Sequence, residues 1–200
     1  MPDLGPATRQ LTRLVQGVRD DQLSAPTPCP DYTLGDLLEH VHGLALAFSA
    51  AARKQRLPDG PAGPSGDASR LPGDWRTAIA DRLAELAQAW HEEGAWEGIT
   101  RVGGFEGPAE QIGVAAVNEL VVHGWDIAKS SDQDVSVDDE SAGPCLGFAG
   151  VLTGPDGDAF RRGGPGFGPP VDVPPDAPVL DRLVAANGRQ PTWSAAQQVS

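Results

Sequence analysis

Basic residues are scarce in this chain: fifteen Lys and Arg stand against twenty-eight Asp and Glu, a formal net charge of -13 over 200 residues. No Lys/Arg cluster falls on any candidate helix, so nucleic acid and anionic membrane surfaces are not expected partners. Long apolar runs are missing too. No stretch approaches the ~20 residues of a membrane span, and Met1-Pro2-Asp3-Leu4-Gly5-Pro6 lacks the basic head and apolar core of a secretion signal. A soluble, cytoplasmic protein is the expectation. Only two cysteines occur, Cys29 and Cys145, far apart and without CxxC spacing; they read as reduced, buried thiols and not as a disulfide framework. Internal repeats, a phosphate-binding Gly-rich loop and a GxSxG elbow are also absent.

What the chain does have is punctuation. Its 25 Gly and 19 Pro cluster between apolar periodic segments and do not dissolve the whole into disorder. Leu11, Leu14, Val15 and Val18 define a first helix over about 7–23. Three prolines within Pro26-Thr27-Pro28-Cys29-Pro30 then force an extended loop, pressed onto the body by Cys29 and Tyr32. Thr33 follows as an N-cap, with Asp36 placed to answer it in a capping box, and a second helix runs to about Arg56 on Leu34, Leu37, Leu38, Val41, Leu44 and Phe48. Residues 57–73 have no apolar periodicity and read as a flexible connection, a candidate flap. A third helix over about 74–92 carries Trp75, Ile79, Leu83, Leu86 and Trp90 as a packing stripe, with His91 as a solvated terminal group.

Residues 96–105 read as a loop or brief extended piece, and Pro108 can occupy the first turn of a fourth helix reaching about Ser130. Four helices with long crossovers indicate a bundle. Beyond it come an acidic turn from Asp132 to Glu140, a short helix near 139–152, a second Gly/Pro-rich connection over 154–170, an extended Val171-Asp172-Val173, and a last helix over 177–187 stopped by Gly188. Trp193 is placed to pin the tail. The Asp-x-Asp spacing in the acidic turn is a poor Ca²⁺ loop, since it lacks the EF-hand glycine and terminal glutamate.

The chemistry concentrates in Asn118-Glu119-Leu120-Val121-Val122-His123-Gly124-Trp125-Asp126. Glu119 and His123, four residues apart, leave one face of the fourth helix with Cα atoms about 6 Å apart along the axis. Such pairs are common on surface helices, so a third group decides their meaning. His40 lies between Leu37 and Leu44 on the apolar stripe of helix two; His42, about 200° further round, projects to a more mixed side. The plainer reading of an inward His is a satisfied core histidine. If helices two and four are neighbours, however, His40, Glu119 and His123 share an interior space and form an N/O donor set suited to Zn²⁺, with a position left for water or substrate.

The segments Pro28-Cys29-Pro30-Asp31-Tyr32-Thr33, Asp36-Leu37-Leu38-Glu39-His40-Val41, the Asn118–Ala128 stretch with its His123-Gly124-Trp125-Asp126 core, and Asp181–Pro191 together resemble the actinobacterial DinB-like metal-binding families related to mycothiol-dependent maleylpyruvate isomerase. The resemblance implies an all-α fold: a DinB-like four-helix bundle with long crossover loops over residues 1–131, and a short C-terminal helical extension packed on it over 132–200. It implies a divalent metal, zinc in the usual assignment with nickel as another candidate, held by His40, Glu119 and His123. Asp126 is then a group behind the ligands, or a loop cap, and His42 an alternative. The implied chemistry is a thiol-dependent transferase or isomerase in which the metal activates a low-molecular-weight thiol such as mycothiol towards a small electrophile. Two other readings stand beside it: a non-catalytic metal or small-molecule binding protein, and a metal-free bundle in which the imidazoles and Glu119 form a hydrogen-bond network. Either a monomer or a homodimer is compatible with the sequence.

Overall fold

The computed structural model describes residues 1–57, 66–137, 139–153 and 168–195, with the side chains of 139–140 and 151–153 not described. Among these, helices α1 (Gly5–Gly17), α2 (Leu34–Ala52), α3 (Trp75–His91) and α4 (Ala109–Ser131) form the bundle, and α5 (Asp139–Thr153) and α6 (Val179–Ala186) follow it. The strands are β1 (Ile99–Val102) and β2 (Phe105–Pro108), an antiparallel hairpin between α3 and α4. No described helix is long and apolar enough to cross a membrane.

Both α1 and α2 pack on α3 and on α4, while α5 joins α4 to α6. This places α2 directly beside α4, the adjacency on which the proposed ligand set depends. The shared interior is made by Leu34, Leu37, Leu38, Val41 and Leu44 of α2, Ile112, Val117, Leu120 and Val122 of α4, and Leu11, Leu14, Ile79, Leu83 and Leu86 of the flanking helices. Each such side chain, fully buried, stabilises the fold by about 1.5–3 kcal/mol. The sum offsets the desolvation of a few polar groups in their midst. Helix α4 is buried on almost every side, so its polar residues Asn118, His123 and Asp126 are interior by position.

Several element ends differ from those expected. Helix α1 stops at Gly17 because Val18 and Arg19 turn extended into a 3₁₀ turn at Asp20–Gln22. Helix α2 stops at Ala52: Lys54 takes a left-handed φ of 55°, and its Nζ donates to the carbonyls of Ala52, Gly94 and Ala95. The loop or brief extended piece expected over 96–105 is extended: it supplies β1 and the turn of the hairpin. Gly103 and Gly104, at φ of 54° and 82°, supply the two positive-φ positions that a tight hairpin turn needs. Pro108 caps α4 and does not lie within its first turn. Residues 171–173 form no strand, although the Val171 amide bonds the Ala185 carbonyl. Of the two connections between apolar segments, residues 58–65 and 154–167 lie outside the described residues, as does Asp138 of the acidic turn. The cysteines are buried, the aromatic stripe of α3 is core, His91 meets Asp3 at a 64% exposed side chain, and Trp193 packs on the core as expected.

The start of α2 matters for the site because it sets where His40 lies. The Thr33 hydroxyl accepts the Asp36 amide at 3.3 Å, and Asp36 Oδ2 accepts the Thr33 amide at 3.0 Å and its hydroxyl at 2.6 Å. Asp36 Oδ1 accepts the Ala68 amide at 2.8 Å, tying down the end of the crossover that follows α2. Burial opposes the charge on Asp36, but the Thr33 hydroxyl and the Ala68 and Thr33 amides outweigh it and hold the carboxyl below its usual range. A depressed folded pKa contributes stability that is present above the unfolded value near ~4 and lost as pH falls through the folded one. Asp36→Ala should therefore cost about 1 kcal/mol at pH 7 in urea titration. The gap to wild type should close on acidification below about pH 4; a gap that persists there would overturn this account of the cap.

Candidate metal centre

Helix α2 presents His40 and helix α4 presents Glu119 and His123, so that one ligand atom from each lies within 4.8 Å of the others. The two imidazole rings meet edge to face with centroids 4.9 Å apart. Behind His40 stands Tyr32, centroid 5.3 Å away, its hydroxyl accepting the Gly66 amide at 3.2 Å. The loop that holds the three prolines thus delivers an aromatic wall to His40. Side-chain exposure is 1% at His123, 0% at Asp126 and 14% at Glu119, so the centre meets solvent along the Glu119 side.

His123 uses both ring nitrogens. Nδ1 lies 3.0 Å from Asp126 Oδ2, and Nε2 lies 2.9 Å from Glu119 Oε2. The second approach is an ion pair when His123 is protonated, and no other donor among the described residues reaches the buried Glu119 Oε2. Burial opposes charge on His123, but Asp126 and Glu119 outweigh it and push its pKa up to about 9 in the metal-free protein. For Glu119, the His123 and His40 imidazoles overcome burial and hold the carboxyl low. A proton on Nε2 and a metal ion are alternative answers to the same carboxylate and imidazole. With Nδ1–H given to Asp126 and the Nε2 proton displaced, Nε2, Glu119 Oε2 and His40 offer two imidazoles and a buried carboxylate oxygen, a donor set that fits a divalent N/O metal.

Asp126 is held in turn. Arg189 donates Nε to Oδ1 at 3.0 Å and Nη2 to Oδ2 at 2.8 Å, a two-pronged fork with both residues buried. Burial alone would raise the Asp126 pKa, but the guanidinium, then His123, hold it below its ordinary value; Arg189 is pushed up correspondingly. Arg189 escaped sequence reasoning as a site residue. The available signal was Asp126 itself, a carboxylate on a helix apolar on nearly every face, which demands a buried cation. His42 is not brought to the centre; burial, then Arg82, lower its pKa. Cys29 lies near Arg189 and Asp126, fully buried, its thiol pushed up to about 11 by burial.

The sequence model for the mycothiol maleylpyruvate isomerase N-terminal domain matches residues 4–128. The chain belongs to that family. Two uncharacterized proteins of Mycobacterium tuberculosis, from two strains, are each 31% identical to it over 180 residues, covering 88% of this chain and 90% of theirs. Among solved structures, the crystal structure of the mycothiol-dependent maleylpyruvate isomerase superposes with a TM-score of 0.58 at 17% identity, over 75% of this chain and 66% of that one. A histidine-to-alanine mutant of the same enzyme gives 0.57 at 16% identity, with the same coverage. The bundle is therefore the DinB-like fold of the family. Asn187 and Arg189 lie beyond the segment that the family domain matches.

Removing one partner of the Asp126–Arg189 pair leaves a buried charge unanswered. Asp126→Ala should destabilise the metal-free protein by about 3–5 kcal/mol in chemical denaturation. Adding Arg189→Met should recover much of that loss, because the stranded guanidinium is gone. Equal stability of the single and double variants would show the pair to be solvated.

Proposed function

We propose that this protein holds a divalent metal, zinc by donor chemistry, through His40, Glu119 and His123, and acts as a mycothiol-type thiol-dependent transferase or isomerase on a small electrophile. The observation that carries the reading is the convergence of three ligand atoms within 4.8 Å, with the buried Glu119 Oε2 reached, among the described residues, only by the His123 ring at 2.9 Å. Membership of the family supports the thiol, and the N/O ligand set supports zinc, with nickel a second candidate. On this reading residues 1–131 are the metal-binding bundle and 132–200 an extension packed on it. A cytoplasmic location goes with a low-molecular-weight thiol cosubstrate.

The chain's own residues prepare the site. Asp126 lies 3.0 Å from His123 Nδ1 and would hold a proton there, so that a divalent ion displacing the Nε2 proton would meet that nitrogen's lone pair. Tyr32 backs the His40 ring, and Glu119 contributes one negative charge at the side open to solvent. Cys29 and Cys145 are buried and Cys29 is held as the thiol, so the nucleophilic sulfur is supplied by the cosubstrate. When bound, a divalent ion there lowers the pKa of a thiol and polarises a carbonyl. Addition of the thiolate to an electron-poor alkene carbon forms a carbon–sulfur bond and moves the π electron pair onto the conjugated carbonyl. Rotation and expulsion of the thiolate then isomerise the alkene, whereas protonation of the carbon retains the thioether.

The second reading, a metal-binding protein without turnover, is separated by experiment. Protein reconstituted with zinc should carry one equivalent, and His40→Ala, Glu119→Gln and His123→Ala should each weaken binding by more than about 100-fold. Mycothiol with a maleyl-type electrophile should turn over only in the zinc form. Unchanged stoichiometric zinc in His123→Ala would remove the site, and tight zinc without thiol-dependent turnover would establish the non-catalytic reading.

A further inference from the structure

The segment that carries Arg189 to the metal centre is itself attached to α4 one step earlier in the chain. Asn118 Nδ2 donates to Asn187 Oδ1 at 2.9 Å, and Asn187 Nδ2 donates back to Asn118 Oδ1 at 3.2 Å and to the Leu183 carbonyl at 2.9 Å. Both amides are fully buried. Asn187 also offers its carbonyl to Arg189 Nη1 at 3.1 Å. Between them Gly188 turns with φ of 80°, and a Cβ there would lie 2.5 Å from the Gly168 Cα, so neither the turn nor the close approach of that backbone tolerates a side chain.

We propose that Asn118 and Asn187 are positioning residues of the metal centre: their reciprocal amide pair sets the register in which Arg189 forks onto Asp126 and thereby fixes His123. The inference rests on the reading of His40, Glu119 and His123 as metal ligands. Asn118 and Asp126 are eight residues apart on α4, about 12 Å along the axis. Asn187 and Arg189 are two residues apart and span at most about 7 Å of backbone, leaving the remainder to the arginine side chain. Only with Asn187 on Asn118 does the guanidinium arrive at Asp126. A slip of one helical turn would move it by about 5.4 Å, beyond hydrogen-bond reach. An apolar pair of the same size would stabilise the contact at least as well, because burying two amides costs desolvation that their mutual bonds only repay. What it would lack is direction: two reciprocal bonds have one geometry, whereas apolar surfaces slide.

The test compares Asn187→Ala, the paired variant Asn118→Leu with Asn187→Leu, and Val15→Ala, a core truncation in α1 far from the latch in sequence. Two quantities are read: the zinc Kd by chelator competition, and the solvent exchange of Arg189 Nε–H by NMR in the metal-free protein. Asn187→Ala and the leucine pair should bind zinc about tenfold or more weakly and lose protection at Nε–H, the leucine pair doing so without a fall in Tm. Val15→Ala should lower Tm and leave both quantities near wild type. A leucine pair that folds and keeps both wild-type Kd and protection overturns the proposal, as does Val15→Ala losing as much affinity as Asn187→Ala. Failure of the wild type to bind zinc would instead refute the metal centre, and the Nε–H protection would still judge the latch.

Discussion

A carboxylate placed in the last third of a helix buried on almost every side constrains this molecule more than any other single feature. Asp126 cannot be hydrated where α4 lies, and an isolated buried charge would cost more than the fold's whole stability margin. Two partners resolve it, the His123 ring from one turn back along the same helix and the Arg189 fork from the other end of the chain. The first orients a member of the candidate metal centre. The second makes residues near the C-terminal end part of the site's support, although they stand outside the family domain.

From that constraint the layout of the centre follows in order. Arg189 orients Asp126, Asp126 orients His123, and His123 sets its other nitrogen against Glu119 and His40. Each link is a directional bond within a matrix of Leu, Ile, Val and Trp that excludes water and lowers the local dielectric, so each is stronger than its surface equivalent. The hydrophobic bundle does not specify the chemistry. It supplies the rigidity and dryness in which a few polar groups can hold one arrangement.

Much of this was legible from residue order. Thr33 and Asp36 announced the start of α2 because a capping box is a local interaction. Glu119 and His123 announced one face because helical periodicity is local, and His40 announced inward orientation by sitting between Leu37 and Leu44. Helix ends were less legible. Lys54 stops α2 by reaching carbonyls some forty residues away, at 94 and 95, and Gly103-Gly104 becomes a hairpin turn only because its flanks pair.

The sequence by itself determined which segments are helical, which faces are apolar and which three side chains have metal-binding chemistry, since all of these arise from interactions within a turn or two of chain. Tertiary structure alone decided that α2 lies beside α4, that Arg189 and not His42 joins the centre, and that Asn118 and Asn187 meet. Those facts are set by long-range packing and by the requirement that every buried charge and amide find a partner, wherever in the chain that partner happens to be.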